Sequence, residues 1–399
     1  MSYLDRPAEL RRRLEGSLLE SIMPFWDRHA IDSEYGGILT GLDRRGKVVE
    51  TDKSIWFQGR AAWVYARLAG SRLGTEEDRE RWRRSAENAL RFLERFGFDP
   101  AAGRYRYRVT RDGQPLITRR YRFSDCFACL GHAAYARSTG SESSLATARQ
   151  IYRRLWWYRQ APEPLDPKVS VATRPTRGFA LPMILINVAQ EMRRADPARA
   201  EEYSRHVDVL TEELRLFLDS ERRCVREQVN PDGSPQDHFE GRTLNPGHAI
   251  EGAWFVLEEA RHRKRDAELL QLGLTMLDWM WEWGWDAEYG GIIHFRDAGG
   301  HDSPEYWHDM KFWWPQCEAL LATQYAYAAS GEPSYAERHA RLLDWTLEHF
   351  PDPEHGEWFG YLHRDGSVSS SLKGTLFKGP YHVPRMHLVA LDLLDGDSG

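Results

Sequence analysis

The chain has 399 residues, 41% of them hydrophobic, and a formal net charge of -6, enough apolar material for a large buried core. No block of like charge favours nucleic acid or an anionic membrane, and no stretch approaches the ~20 apolar residues of a membrane span. The four cysteines include one C-x-x-C, Cys126 and Cys129, with no second pair to complete a metal site, so a helix-face pair in a reducing cytoplasm is expected.

The opening segment, MSYLDRPAELRRRLEG, has no apolar h-region and is not read as a secretory signal. A helix is predicted over residues 8–28. It is followed by Asp32-Ser-Glu-Tyr-Gly36 and a turn glycine at Gly46. Residues 54–70 then carry apolar side chains at 55, 56, 63, 64 and 68 and stop at Gly70, the pattern of a helix with a glycine end. A second helix is predicted over 76–96. The Asp-to-glycine unit returns as Asp99, Gly103 and Gly113, and here RYRYRV, residues 104–109, alternates strictly, as a hairpin strand does. It returns again at Asp286, Gly290 and Gly300 and at Asp352, Gly356 and Gly366, with a degenerate copy from Asp219 to Asp232-Gly233.

In the four full copies the aspartate precedes the first glycine by 4 residues and the turn glycine by 14. The copies recur about every 67 residues, with one missing near 160, and fixed periods of that size mark a repeat architecture. The Pro-rich stretch 161–178 occupies the missing place. Two helices follow each hairpin, giving about twelve in all. The first and last helices read as two halves of one pair and neither end carries a capping repeat. The expected fold is therefore all-α: a closed (α/α)6 barrel, one domain over 1–399, with short β-hairpins at one end.

Chemically capable residues fall at the start of the helix after each hairpin: Arg60, Asp125, His248, Glu318 and His382. In a closed ring these positions share one end. His248 and Glu251 lie three apart in NPGHAIEGAWFVLEE and so share a helix face above the apolar residues Trp254, Phe255 and Leu257. Taken singly, His248 suits a helix cap, Glu251 a capping or ion-pair partner, Arg60 a loop ion pair and His382 a core position. An i, i+3 His/Glu pair holds metal only with matching carboxylates on other helices, and no second pair is present, so no metal is expected. Two imidazoles across one cavity suit proton transfer on opposite faces of a carbon beside a carbonyl. A fixed cation such as Arg60 would stabilise the oxyanion that develops. The many aromatic residues, 16 Trp, 17 Tyr and 16 Phe, suit stacking on sugar C–H faces as well as a large core.

The segments KSIWFQGRAAWVYARL (53–68), NPGHAIEGAWFVLE (245–258), FWWPQCEALLA (312–322) and GEWFGYLHRDG with FKGPYHVPR (356–385) resemble the N-acylglucosamine 2-epimerase family, which includes the renin-binding protein. The resemblance covers residues 30–390. It implies the (α/α)6 barrel, His248 and His382 as an acid/base pair, and Arg60, Glu251 and Glu318 as essential or supporting groups. It implies that Trp56 and Trp313 line the pocket, with Tyr107, Asn187, Lys378 and Arg385 as further candidates for substrate contact. The third inner helix, FALPMILINVAQEM, lacks the histidine of the mannose isomerase and cellobiose epimerase branches. Interconversion of N-acetylglucosamine and N-acetylmannosamine is therefore favoured over a mannose- or sulfoquinovose-type aldose-ketose isomerase and over a cellobiose 2-epimerase. The family also implies ATP as an allosteric activator that is not consumed, and a homodimer. No GxxxxGK[ST] loop is present, and GLDRRGK (41–47) reads as a hairpin turn. A glycoside hydrolase on the same barrel is the alternative from another class. It needs two carboxylates roughly 5–9.5 Å apart, and Asp125, Glu240, Glu251 and Glu318 are available. A binding protein without activity is the third reading.

Overall fold

Two kinds of helix alternate along the chain: one buried on nearly every face, the other amphipathic with a single apolar stripe. In the computed structural model, which describes residues 3–118, 122–160 and 170–396, this alternation builds two concentric rings. In chain order the helices are α1 (Pro7–Gly16), α2 (Met23–His29), α3 (Ile55–Ala69), α4 (Glu76–Phe92), α5 (Phe123–Thr139), α6 (Glu142–Gln160) and α7 (Ala180–Ala195). They continue as α8 (Ala200–Arg215), a single turn α9 (Phe239–Arg242), α10 (Pro246–His262), α11 (Ala267–Gly284), α12 (Trp313–Ser330), α13 (Pro333–His349) and α14 (His382–Leu394). A π-helical turn, Ser17–Ile22, joins α1 to α2 without a break, so the pair is one outer rod.

The buried helices α3, α5, α7, α10, α12 and α14 form the inner ring. Each packs on the next, and α14 returns to α3, which closes the ring. Each inner helix is backed by its own outer helix, and the first and last helices, α1 and α14, form one pair as their sequences suggested. Adjacent inner helices approach closely only where side chains are absent. A Cβ added at Gly59 of α3 would lie 2.3 Å from the Phe127 carbonyl oxygen of α5.

The hairpins gather at the N-terminal ends of the inner helices and stitch neighbouring units together. The short strand that leads into each of four inner helices pairs with the next hairpin round the ring: Lys53–Ser54 with Arg108–Val109, Arg177–Gly178 with Gln228–Val229, Thr243–Leu244 with Arg296–Asp297, and Lys311–Phe312 with Tyr361–Leu362. The repeated aspartates explain the periodicity. Asp32 accepts from Lys53 Nζ at 2.8 Å and from Arg111 Nε at 2.9 Å. Asp286 accepts from Lys311 and Arg364, both at 2.9 Å. Asp352 pairs with Lys373 at 3.0 Å and with Arg44 Nε at 2.7 Å. All three lysines are fully buried. Each arginine comes from the turn of the following copy, so Arg44, from the first hairpin, ties to Asp352 of the last across the closure. Burial would raise these carboxyls, but the arginine and lysine hydrogen bonds hold all three well below the usual carboxylate range.

Three sequence expectations are adjusted. RYRYRV is not one strand: Arg104–Tyr105 pairs with Phe98–Asp99, while Arg108–Val109 joins the sheet of Lys53–Ser54. Alternation fixes which face each side chain takes, and partner choice is fixed by the neighbouring units. The helix predicted over 76–96 is regular to Phe92 and continues as a π-helical turn, Leu93–Gly97. The closing helix, expected from about Pro384 to Leu394, starts at His382, since proline fits the first turn of a helix. Of the Pro-rich stretch 161–178, residues 161–169 lie outside the described residues, and its end, Arg177–Gly178, does fill a hairpin position.

Candidate active site

At the hairpin end of the barrel, α10 opens with Asn245 as its cap: the Asn245 Oδ1 accepts the His248 backbone N–H at 3.2 Å. The His248 side chain is therefore not the cap. Its Nδ1 lies 3.0 Å from Glu227 Oε1, and 29% of the side chain remains exposed to the barrel mouth. One turn on, Glu251 Oε1 accepts from Arg385 Nη2 at 2.5 Å.

The facing side is built by α12 and α14. Glu318 is fully buried, and its Oε1 lies 2.8 Å from His382 Nδ1 and 2.7 Å from Arg385 Nη2. Its second oxygen accepts from Trp254 Nε1 at 2.8 Å. His382 and Arg385 stand three apart on one face of α14, with Arg385 Nη2 3.3 Å from His382 Nδ1. Each imidazole is thus held through Nδ1 by a carboxylate, and Nε2 is the ring nitrogen that this contact does not engage. Both rings are tilted against the same indole: Trp314 is 5.2 Å from the His248 ring and 5.9 Å from the His382 ring. The centres of the two imidazoles are therefore no further apart than the sum of those spacings.

The electrostatics differ between them. Burial lowers an imidazole pKa, but at His248 the charge and hydrogen bond of Glu227, with Glu251 behind, outweigh burial and hold the ring above its usual range. At His382 burial, reinforced by Arg385 and Arg60, pushes the ring well below it. The two rings therefore differ in proton affinity: His248 holds a proton more readily than a free imidazole, and His382 is neutral at neutral pH.

Arg60 lies over the rings of Phe127 at 4.0 Å, Tyr381 at 4.9 Å, Phe57 at 5.4 Å and Trp56 at 5.7 Å. Burial brings it down to about 10, so it stays a cation at neutral pH. Among the described residues no carboxylate pairs with it, and its Nε finds no acceptor. Trp56 packs edge-on against Tyr107 at 5.1 Å, and Trp313 stands 6.3 Å from the His382 ring with its indole N–H unmatched.

His248, Glu251, Glu318, His382, Arg385, Arg60, Trp56, Tyr107 and Trp313 therefore belong to one end of the barrel. Lys378 and Asn187 do not join the imidazoles. Lys378 is fully buried, with its Nζ 2.9 Å from Glu357 Oε1 and 2.9 Å from the Lys373 carbonyl. Asn187 lines a small cavity, about 30 Å³, deeper in the barrel beyond Arg385 and Trp254, together with Glu191, Arg194 and Asp392. Glu240 is exposed beside His238. Asp125 is buried, accepts the Tyr105 backbone N–H at 3.3 Å and is pushed up to about 6 by burial. Glu251, Glu318 and His382 offer ligand atoms within 4.8 Å of one another, but the Arg385 guanidinium already bridges all three. Sequence reasoning did not single out Glu227 or Trp314, and it read Trp254 only as an apolar core residue. Trp314 adjoins a named residue and was within reach of the α12 pattern. Glu227 carries no helical or hairpin signal of its own.

A family model described as N-acylglucosamine 2-epimerase matches residues 36–384. The chain is 34% identical to N-acylglucosamine 2-epimerase of Mus musculus over 380 residues, covering 94% of this chain and 89% of the relative. It is 32% identical to the Homo sapiens protein of the same name over 389 residues, with 95% and 89% covered. The solved structure of cellobiose 2-epimerase from Spirochaeta thermophila superposes with a TM-score of 0.83 at 20% identity, covering 98% of both chains, and this agrees with the (α/α)6 barrel. On the extent of the family match and the identity to its members, this chain belongs to the N-acylglucosamine 2-epimerase family.

Proposed function

We propose that this protein interconverts N-acetylglucosamine and N-acetylmannosamine by exchanging the C2 proton of the ring-opened sugar between His248 and His382. The observation that carries the two-base chemistry is the pair of imidazoles flanking Trp314, each oriented through Nδ1 by its own carboxylate. The names of the relatives supply the substrate. The absence of a histidine from α7 supports the N-acylated sugar over the free hexose or disaccharide.

Opening of the pyranose exposes C1 as an aldehyde and acidifies C2–H. The neutral imidazole takes that proton on one face, the negative charge spreads onto the C1 oxygen, and the imidazolium returns a proton to the other face. Arg60, a buried cation without a carboxylate partner, is placed to stabilise that oxygen. Glu318 fixes the tautomer of His382, and Arg385 locks Glu251 and Glu318 in place. The glycine-bearing stretch 41–47 does not suit a nucleotide phosphate: it is a hairpin turn whose Arg44 is committed to Asp352. The proton transfer consumes no ATP. Its role as an activator is checked by turnover with and without nucleotide, and the expected cytoplasmic homodimer by sedimentation.

In D2O, product formed from N-acetylglucosamine is expected to carry deuterium at C2. NMR that shows C2–H fully retained would defeat the two-base reading. His248→Ala and His382→Ala are each expected to lose about 10²–10⁴-fold in kcat with an unchanged circular dichroism spectrum. Release of a reducing sugar from disaccharides, with no C2 exchange, would instead support a hydrolase.

A further inference from the structure

We propose that Glu227 is the positioning residue that keeps His248 in its proton-donating state. The proposal rests on the reading above and goes beyond it to a residue that the sequence did not single out. Glu227 sits between the strands Cys224–Val225 and Gln228–Val229, and its backbone is fixed independently of its side chain. Its carbonyl accepts the Phe179 N–H at 3.0 Å at the start of α7, and the next residue, Gln228, pairs with Gly178. A carboxylate on so rigid a mount holds an imidazole in one orientation.

The two histidine–carboxylate pairs look alike, yet they differ in one cation. Glu318 shares the same oxygen between His382 and the Arg385 guanidinium, and its other oxygen is taken by Trp254. Its negative charge is thereby offset, and His382 gains orientation without gaining a proton. Glu227 has no arginine or lysine partner among the described residues, and the cation-forming side chain it meets there is His248. The other groups facing His248 are Glu251, which also favours the cation, and Arg60, which opposes it. His294, stacked on Phe312 and 6.0 Å from Trp314, is held neutral at about 3 by burial, and His382 is neutral as well. Around His382 stand Glu318, Arg385, Arg60, Glu251, Tyr381 and His248, and burial, with Arg385 and Arg60 adding to it, holds the ring neutral. Removing Glu227 therefore removes the largest influence favouring the His248 imidazolium while leaving the His382 cluster intact.

The test is the pH profile of kcat/KM for Glu227→Gln, with Glu227→Asp as the charge-retaining control. The alkaline limb, where His248 loses its proton, is expected to move to lower pH in Glu227→Gln. The acid limb, where His382 gains one, should stay in place. At pH 8 kcat should fall roughly ten- to a hundredfold, less than on removal of the imidazole, and Glu227→Asp should recover most of the loss. A lower kcat with both limbs unmoved, or a shift confined to the acid limb, overturns the proposal. If Glu227→Gln does not fold, Glu227→Asp and an NMR titration of the wild-type histidines decide it: a His248 ring that titrates below the ordinary histidine range overturns it. Absence of C2 exchange in the wild type would instead reject the epimerase reading and is read out separately.

Discussion

Burial alone would strip the proton from both His248 and His382, because a low-dielectric setting disfavours the charged imidazole. Their neighbours separate them: Glu227 turns the shift upward at His248, and at His382 Arg385 and Arg60 add to the lowering by burial. Wild-type activity should follow a bell in pH. It falls on the acid side as His382 becomes protonated and on the alkaline side as His248 loses its proton. Initial rates across pH 4–10 check this, and a profile with a single limb would show that only one imidazole titrates in the working enzyme. The sign for stability is opposite at the two sites. The raised His248 contributes stability that is fully present below the unfolded value of about 6.5 and is lost as pH rises through the folded one. The depressed His382 contributes stability that is present above about 6.5 and is lost as pH falls.

At the scale of elements, the aspartate–lysine–arginine triplets decide how neighbouring hairpins lock. Asp352→Ala would leave Lys373, fully buried and already lowered to about 8 by burial, without its carboxylate. Breaking a buried pair from one side costs about 3–5 kcal/mol, so this variant should show a loss of that order in chemical denaturation. Arg44→Ala removes a partner that is 39% exposed, and exposed pairs contribute about 1 kcal/mol or less. Equal losses in the two variants would show that ring closure, rather than the buried lysine, carries the energy. The hairpin spacing, the helical periods and the glycine stops follow from local chemistry, which is why these elements were legible in the sequence. The division of RYRYRV between two sheets was not, because it depends on the strand that each half meets.

For the whole molecule, burial leaves a set of neutral histidines in the barrel wall: His132, His339 and His387 at about 4 and His294 at about 3. Each has a folded value below its unfolded one, so each contributes stability that is present above about 6.5 and is lost as pH falls toward 4. The triplet aspartates add a second loss below about 3.8. The urea midpoint should therefore decline steadily from pH 7 to pH 4.5. A flat midpoint over that range would show that these rings stay accessible to protons in the fold.

The sequence by itself determined the repeat, the helical pairs and the rim that carries His248, Glu318 and His382. Each of these rests on period and spacing within one unit, which local backbone geometry and apolar patterning dictate. Only the tertiary structure decided which carboxylate serves which imidazole. Glu227 and His248 are 21 residues apart, Glu318 and His382 are 64, and Arg385 reaches Glu251 across 134. Nor could spacing show that Lys378 is spent on Glu357, or that Asn187 lies beneath the site. A side chain's charge state depends on what surrounds it in space, and closure of the ring sets those surroundings.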